Sequence, residues 1–360
     1  MATRFKKIIS TDSHVHEPLD IWWESLHERF GDETPREVNE VNGRTGKFFF
    51  NGEEAGGFST EFPGEGFAGV GHDPAVRVRF QEAAGIDAEL FHPSTLRGVL
   101  TTKNREMVFA ASQVYNDWLA EYCSYNPQRL MGLAVIPLED VDKAVAELDR
   151  VAAKGMKAVL IPMRPAPGYP QYRETVYDPF WAKVQDMDWP VNIHISTGQY
   201  TVHPNRLPDR REIPGNLIEL YNEVQIILAN DFIFGGILDR FPRLKLIVNE
   251  FDISWIPMFM RHCDQVQDDF GKRSGMEPIK MKASDYMRER IYHGLIDEPF
   301  AKHNIKLIGA KQIIWGSDFP HHAAMGIDQV KLMDEDVLAG LPEADKEQIA
   351  GATAARVYGI

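Results

Sequence analysis

Three side chains that can bind a metal ion alternate near the start of the sequence. Asp12, His14 and His16 follow the short apolar stretch at residues 7–11. In an extended strand, residues two apart point to the same side, so the three groups could converge just beyond a strand end. Carboxylate oxygen and imidazole nitrogen are ligands for zinc, iron and manganese. The spacing therefore predicts one part of a divalent metal site.

Elements that could position such a site recur along the whole chain. Stretches rich in Val, Ile and Leu alternate with helical patterns, which is typical of βα units around a parallel sheet. The eight predicted strands are residues 7–11, 86–92, 132–137, 158–162, 191–195, 244–249, 290–295 and 312–316. Eight βα units favour a closed α/β barrel. An open doubly wound sheet is the alternative, but the turn after its first strand is usually rich in glycine.

The segment between the first two predicted strands does not fit this repeat. Residues 43–71 are rich in Gly, Phe and Glu. We therefore predict a single domain over residues 1–360 with an insertion after strand 1, at about residues 40–75. A long excursion at this place is usually a lid over the barrel mouth. An insertion without a catalytic role is the alternative.

The predicted strands end in residues that can bind metals or transfer protons. In barrels of this kind, the catalytic groups lie at the carboxyl ends of several strands. In chain order, these ends carry Asp12, His14, His16, His92, Arg164, His194, Glu250, His293, Asp318, His321 and His322. A single histidine such as His194 would more often be structural. Agreement among so many strand ends strengthens the prediction of a metal site.

Four motifs along the chain are shared with a known family. They are Thr11-Asp12-Ser13-His14-Val15-His16-Glu17-Pro18, the isolated His194, Glu250 with Trp255-Ile256-Pro257, and Trp315-Gly316-Ser317-Asp318-Phe319-Pro320-His321. Together they resemble the amidohydrolase-related family, which includes aminocarboxymuconate semialdehyde decarboxylase and the resorcylate-type decarboxylases. The resemblance covers almost the whole chain. It implies a distorted (β/α)8 TIM barrel, one tightly bound divalent metal, frequently zinc, and a dimer.

The resemblance also implies which residues bind the metal. The family's ligands are a pair spaced by one residue after strand one, a histidine on strand five and an aspartate after strand eight. His194 and Asp318 match the last two. The first pair is either Asp12 with His14 or His14 with His16. Alignment of the first strand favours Asp12 with His14, and His16 would then reach substrate or a second metal.

Two positions depart from the family pattern. Decarboxylases of the family have a catalytic histidine after strand six, where this chain has Glu250. Binuclear members of the superfamily have a modified lysine at the end of strand four. This chain has Arg164 there, whose guanidinium stays protonated and cannot be a ligand. Arg164 could instead bind a substrate carboxylate, and a salt bridge at the rim is the alternative.

These features predict a metal-dependent hydrolase or non-oxidative decarboxylase that acts on a small organic acid or amide. Metal-activated water or a metal-chelated substrate would react, with Asp318, Glu250 and His293 as acid or base groups. The predicted substrate-binding residues are Arg164, His321 and Trp255. Zinc is the expected metal, and iron and manganese are the alternatives.

Two other functions stay open. The surplus of histidines at strand ends, His16, His293, His321 and His322, would suit a two-metal iron or iron/manganese oxygenase on the same fold. A non-catalytic partner subunit that keeps the barrel is the second alternative. The retained ligand set argues against it, because ligands usually erode when catalysis is lost.

Composition excludes several classes of partner. A formal net charge of −14 over 360 residues argues against nucleic acid or an anionic membrane. Cys123 and Cys263 are far apart, which argues against a disulfide framework and a thiolate metal site. No stretch approaches the roughly 20 apolar residues of a membrane helix. We expect a cytoplasmic protein that binds a small molecule and forms a homodimer, with a hetero-oligomer of related barrels as the alternative.

Overall fold

The computed structural model describes most of the chain. It covers residues 5–18, 20–41, 44–50, 55–57, 67–198, 216–271, 273, 275, 277–321 and 326–360. His322 and parts of the insertion at residues 43–71 lie outside this set. The single-domain organisation over the full length stays a prediction.

The strands of the described chain form one parallel wall and one small antiparallel sheet. They are β1 (Ile9–Val15), β2 (Arg36–Val41), β3 (Arg44–Phe50), β4 (Ala55–Gly57), β5 (Ala88–Pro93), β6 (Leu130–Gly132), β7 (Ala134–Val135), β8 (Val159–Leu160), β9 (Pro190–His194), β10 (Lys245–Asn249), β11 (Ile291–Leu295) and β12 (Ile313–Trp315). The parallel orders are β1-β5-β6 and β7-β8-β9-β10-β11-β12. Because β6 and β7 are consecutive parts of one stretch, the wall has eight strand positions.

Hydrogen bonds join β1 to the segment that follows β12. The His14 backbone N–H donates to the Phe319 oxygen at 2.8 Å. The N–H groups of Ser317 and Asp318 donate to the Asp12 oxygen at 3.0 and 2.8 Å. The first and last strand positions are therefore adjacent. The fold is a distorted (β/α)8 barrel, as the sequence predicts.

Helices follow the strands in the order that βα units require. They are α1 (Ile21–Phe30), α2 (Pro74–Ala84), α3 (Leu96–Val99), α4 (Arg105–Ser124), α5 (Val141–Ala152), α6 (Asp178–Asp186), α7 (Asn216–Ile227), α8 (Ile237–Arg240), α9 (Ile256–Asp269), α10 (Ala283–Glu289), α11 (Ala301–Ile308), α12 (Gln329–Leu332), α13 (Glu343–Glu347) and α14 (Thr353–Tyr358). Helix α5 shows why they form. It buries Leu148 and Val151, and the Asp140 carboxylate caps it by accepting from the Lys143 N–H at 3.1 Å.

Alternation along the strands separates the hydrophobic core from a polar barrel interior. In β9, Val191 and Ile193 are fully buried members of the hydrophobic core. The alternate residues Asn192 and His194 meet other polar side chains. Asn192 Oδ1 accepts from Asn249 Nδ2 at 3.1 Å, and His194 approaches a carboxylate of β1. The strands thus present polar groups to the interior of the barrel.

The predicted insertion contains the antiparallel sheet. Its order is β2-β3-β4, and it lies between β1 and β5 in the chain. The Arg36 guanidinium lies 5.0 Å from the Trp23 ring centroid and 4.9 Å from that of Phe50. Arg36 therefore links this sheet to α1. A lid function for the insertion stays a prediction.

A buried ion pair supports the backbone below the strand ends. The Arg77 guanidinium, from α2, donates to both carboxylate oxygens of Glu89 at 2.7 and 2.8 Å. It also donates to the backbone oxygens of His14 and Phe319, each at 3.1 Å. Arg77 and Glu89 are fully buried. Arg77 therefore fixes the backbone at two places that carry predicted site residues.

Replacing Arg77 with methionine should lower the free energy of unfolding by about 3–5 kcal/mol, because the Glu89 charge would stay buried and unpaired. Urea denaturation measures the change. Arg243→Met is the control, since Arg243 forms an exposed pair with Asp186 at 2.7 Å, and the expected loss there is below about 1 kcal/mol. Equal losses in the two variants would contradict the structural role of Arg77.

Candidate metal centre

Strand β1 directs alternate side chains into the barrel interior. Asp12 and His14 are fully buried there. Ser13, between them, points the other way and donates to Glu89 Oε1 at 2.8 Å. The structure therefore brings together the pair that the first-strand alignment favours.

Side chains from three other strand ends meet Asp12 and His14. His194 ends β9, Glu250 follows β10 and Asp318 follows β12. His194 Nε2 lies 3.3 Å from Asp12 Oδ1 and 2.9 Å from Glu250 Oε2. His14 Nε2 lies 3.5 Å from Asp12 Oδ1 and 3.3 Å from Asp318 Oδ1. We call these residues, Asp12, His14, His194, Glu250 and Asp318, the five-residue cluster.

The distances in this cluster fit the ligands of one divalent cation. Ligand atoms bound about 2.1 Å from an ion are about 3.0–3.4 Å apart in octahedral or tetrahedral geometry. The four nitrogen–oxygen separations span 2.9–3.5 Å. Asp12, His14, His194 and Glu250 also offer ligand atoms that all lie within 4.8 Å of one another.

The hydrogen bond of His194 gives a second indication of a cation. Its Nδ1 lies 2.8 Å from the Ile195 backbone oxygen, which can only accept. Nδ1 therefore carries the proton, and in a neutral ring Nε2 presents a lone pair to the carboxylates of Asp12 and Glu250. These electron-rich atoms need a positive charge between them, either a proton or a metal ion. A backbone-bonded Nδ1 is also the usual arrangement for a metal-binding histidine.

Other buried atoms of the cluster have no hydrogen-bond partner within the described chain. They are Asp12 Oδ2, both ring nitrogens of His14 and Asp318 Oδ1. A buried polar atom without a partner costs about 1–3 kcal/mol. Because a divalent cation would satisfy these atoms together, the residues present fit such an ion.

The pKa values within the cluster show the same excess of negative charge. Burial, together with the charges of Glu250 and Asp12, raises the pKa of Asp318 to about 9. Burial acts to lower the pKa of His194, but the charges of Asp12 and Glu250 outweigh it and raise that pKa well above its usual range. Burial lowers the pKa of His14. Protons on Asp318 and His194 therefore supply, in the metal-free protein, positive charge that a divalent ion would bring.

The backbone is unusual at two residues of the cluster itself. Glu250 and Asp318 have positive φ angles of 61° and 54°, which are uncommon for residues other than glycine. Strained backbone of this kind persists mainly at functional sites. Gly316 lies so close to Asp12 that an added Cβ would be 2.4 Å from the Asp12 Cβ. The position of Asp12 therefore depends on a glycine in the segment after β12.

Two of the predicted site histidines, His321 and His16, differ in their relation to the five-residue cluster. The His321 ring centroid is 4.0 Å from that of His14, and its ligand atoms group with those of His14 and Asp318. His16 donates its backbone N–H to Gly71 at 2.8 Å. It belongs to neither group of metal-binding side chains found in the described chain. The geometry thus favours His321 as a neighbour of the centre and does not support His16 as a ligand.

The structure does not bring His293, Trp255 or Arg164 into the cluster. Strand alternation turns His293 toward α10, where its Nε2 bonds to the Met287 oxygen at 2.8 Å. The Trp255 Nε1 donates to backbone oxygens of the turn before α9, at 2.9 and 3.1 Å. The Arg164 guanidinium pairs with the Glu223 carboxylate of α7. The salt-bridge interpretation of Arg164 is therefore the one that the structure contains.

One neighbour of the cluster received no role from the sequence. His92 Nε2 lies 4.0 Å from Asp12 Oδ1, and its ring centroid is 4.4 Å from that of His194. Asn249 Nδ2 lies 3.2 Å from His92 Nε2. Burial lowers the pKa of His92 to about 3. His92 is therefore a neutral side chain that borders the five-residue cluster. Its position at the end of a predicted strand is the sequence feature that could have indicated this role.

Arg97, a cationic side chain at the same barrel mouth, was not predicted from the sequence. Arg97 lies on α3, where the Glu17 carboxylate accepts from the N–H groups of Thr95 and Leu96 at 2.9 and 3.1 Å. Burial, with the Arg97 charge, lowers the pKa of His321 to about 3. Arg97 forms no ion pair within the described residues. No motif marks Arg97, because its position depends on the turn after β5.

Comparison with known proteins identifies the family. Residues 11–360 match the model of the amidohydrolase family. The chain belongs to the amidohydrolase family. A γ-resorcylate decarboxylase from Rhizobium sp. strain MTP-10005 is 26% identical over 299 residues, which cover 79% of this chain and 86% of that protein.

Solved structures show the same fold. An amidohydrolase from Mycobacterium avium subsp. paratuberculosis K-10 has a TM-score of 0.80 at 19% identity, covering 100% of this chain and 99% of its own. A 5-carboxyvanillate decarboxylase from Novosphingobium aromaticivorans, solved with manganese and 4-hydroxy-3-methoxy-5-nitrobenzoic acid, has a TM-score of 0.70 at 19% identity. It covers 98% of this chain and 96% of its own.

These comparisons confirm several predictions for this amidohydrolase. The family and the barrel fold are those predicted. The prediction of an enzyme is confirmed by the decarboxylase relatives, and the grouped ligand atoms of the cluster support a divalent metal. Zinc is not confirmed, because the ion in the solved decarboxylase is manganese. None of the helices in the described ranges combines the length and apolar composition needed to cross a membrane.

Proposed function

We propose that this amidohydrolase catalyses the non-oxidative decarboxylation of a small hydroxylated aromatic acid. The observation that carries the proposal is the five-residue cluster, whose buried carboxylate and imidazole atoms lack partners and fit a divalent cation. Relatives that act on resorcylate and carboxyvanillate support the substrate class. Asp12, His14, His194 and Glu250 would hold the ion, and Asp318 would join them when it is deprotonated.

The proposed reaction needs an acid beside the substrate carbon. When bound, a divalent cation would supply positive charge that holds the substrate oxygens and stabilises negative charge on the ring. As the bond to the carboxylate breaks, its electron pair stays on the ring carbon and carbon dioxide leaves. Asp318 then gives its proton to that carbon. In the metal-free protein, burial and the charges of Glu250 and Asp12 raise the pKa of Asp318 to about 9, so this carboxyl group can carry a proton at neutral pH when it is not coordinated.

We propose manganese as the resident ion, in place of the expected zinc. Three carboxylates and two imidazoles form an oxygen-rich donor set that suits manganese. Metal analysis of protein purified without chelators should find manganese at about one ion per chain. Zinc alone would contradict this proposal, and two irons would favour the oxygenase alternative.

We propose that Arg97 binds an acidic oxygen of the substrate at the barrel mouth. Arg97→Met should raise KM for the aromatic acid about 10- to 100-fold, because a charged hydrogen bond worth about 1.5–3 kcal/mol is lost. The effect on kcat should be smaller. Arg97→Lys keeps the charge without the planar fork, so an intermediate KM is expected. Steady-state kinetics on the three proteins measure the effect.

Arg164→Met is the matched control for the Arg97 variants. Arg164 already pairs with Glu223, so its loss should change KM by less than about threefold. Equal increases of KM in the two methionine variants would contradict the assignment. A larger increase for Arg164→Met would restore the role that the sequence predicted for it.

Hydrolysis of a small ester or amide is the second candidate function. Glu250 favours it, because a carboxylate at this place can act as a general base. Manganese-loaded protein should release carbon dioxide from one or more ortho-hydroxybenzoic acids and leave phenyl esters and anilides intact. Ester or anilide cleavage without any release of carbon dioxide would replace the first proposal with the second.

We also propose a homodimer, with α9 at its interface. Met258 and Val266 on α9 and Phe270 directly after it are 56%, 40% and 55% exposed, and exposed apolar side chains on one face are typical of an interaction surface. Light scattering should show a dimer, and Met258→Glu or Phe270→Glu should convert it to a monomer. A monomeric parent protein would contradict this.

We also propose a cytoplasmic location. Both cysteines, Cys123 and Cys263, are free, which supports it.

A further inference from the structure

A cavity of about 660 Å³ lies at the opposite end of the barrel from the five-residue cluster. Residues at the beginnings of strands form its walls. Asp87 precedes β5, Leu130 begins β6 and Ala158 precedes β8. Tyr358, at the end of α14, forms another part of the wall. Because the cluster lies beyond the carboxyl ends of the strands, this cavity is a separate site.

The cavity follows from the pairing of the stretch that contains β6 and β7. β6 pairs with β5, whereas β7 pairs with β8. Within the described sheets, β6 is an edge strand. Gly132 leaves room for its neighbours, since an added Cβ would be 2.9 Å from Met156 Cε. The cavity therefore lies where the barrel wall changes from β6, paired with β5, to β7, paired with β8.

Basic side chains dominate the charged lining of the cavity. The charged residues there are one acid and four bases, Asp87, Lys7, Arg129, Lys154 and Lys157. Lys154 pairs with a carboxylate of α4 at 3.1 Å, and the other three bases have no carboxylate partner in the part of the chain described. The whole chain carries a net charge of −14, so this positive excess is local. A positive cavity attracts anions.

The remaining lining is apolar. Leu90, Met131 and Met156 contribute to it, and methionine side chains adapt to ligands of different shape. The volume lies in the range of roughly 300–1,000 Å³ that is typical of small-molecule sites. We propose that the cavity binds a small organic anion with an apolar body. Its charged group would lie at Arg129 and Lys157, and its body would contact the apolar wall.

A pair of fluorescent probes that differ in charge tests the proposal on the full chain. Anilinonaphthalene sulfonate carries an anionic group on an apolar body, and N-phenylnaphthylamine is its neutral counterpart. The anionic probe should bind saturably with enhanced fluorescence. Lys157→Met and Arg129→Met should each weaken its binding by about 3- to 10-fold, as expected for a lost charged contact, and change the neutral probe by less than about twofold.

Three further variants locate the bound probe. Ser124 is exposed and lines the cavity, so Ser124→Trp should fill the space and reduce the binding of both probes. Arg243→Met and Lys302→Met remove positive charge away from the cavity and should leave both affinities unchanged. The proposal is wrong if the anionic probe does not bind, or if Lys157→Met and Ser124→Trp leave its affinity at the parent value.

Discussion

Asp318→Asn is expected to lower kcat/KM by about 100- to 10,000-fold, the range typical of a lost general acid. Asparagine keeps the size of the side chain but cannot give up a proton as a carboxylic acid does. It also replaces a carboxyl group whose Oδ1 lies 3.3 Å from His14 Nε2. The loss should fall mainly on kcat, because proton transfer follows substrate binding. Steady-state kinetics should be normalised to the metal content of the same sample.

Asp188→Asn is a closely matched control for this variant. Asp188 has a φ of 55°, almost the same as the 54° of Asp318. It lies on the surface, where its carboxylate pairs with Lys245 at 2.8 Å. Full activity is expected for Asp188→Asn. Near-normal turnover of Asp318→Asn with intact metal content would exclude Asp318 as the proton donor and remove the main support for both candidate reactions.

Gly316→Ala should weaken manganese binding by at least about tenfold and lower the free energy of unfolding by about 1–3 kcal/mol, as overpacking does. The added methyl group would lie 2.4 Å from the Asp12 Cβ and 3.2 Å from its Cα. Asp12 must therefore move, and it is fully buried with its side chain directed at His194. Isothermal titration with manganese and urea denaturation measure the two effects.

Gly98→Ala controls for the change from glycine to alanine. A Cβ at Gly98 would meet nothing within 4 Å, so stability and metal affinity should stay near the parent values. Parent-like manganese affinity of Gly316→Ala would show that Asp12 is not a ligand. A loss of stability with unchanged affinity would point the same way.

The fold was largely predictable because the barrel strands carry a local signal. The apolar stretch predicted at residues 191–195 is β9 (Pro190–His194), and that predicted at 244–249 is β10 (Lys245–Asn249). Residues 132–137 were predicted as one strand, but the structure has β6 and β7 with different partners. Pairing depends on distant segments, and local hydrophobicity does not encode it. The antiparallel sheet of the insertion was not predicted for the same reason.

The centre was predictable where the end of a strand determines the direction of a side chain. Asp12, His14, His194 and Asp318 meet as the sequence predicts. His293 does not, because a displacement of one residue along a strand reverses the direction of its side chain. Sequence spacing also cannot reveal a partner on a distant helix, as for Arg164 with Glu223, or a cation placed by a turn, as for Arg97.

The hydrogen bonds between β1 and the segment after β12 have a consequence for the order of folding. Ser10 Oγ and Ser317 Oγ lie 3.1 Å apart across 307 positions of sequence. Contacts of such long range form slowly, because the loop between them must close first. Metal affinity should therefore arise only after the first and last strands have met. A bound ion would then stabilise the assembled barrel over any state in which these strands are apart, and metal uptake would report completed folding of the chain.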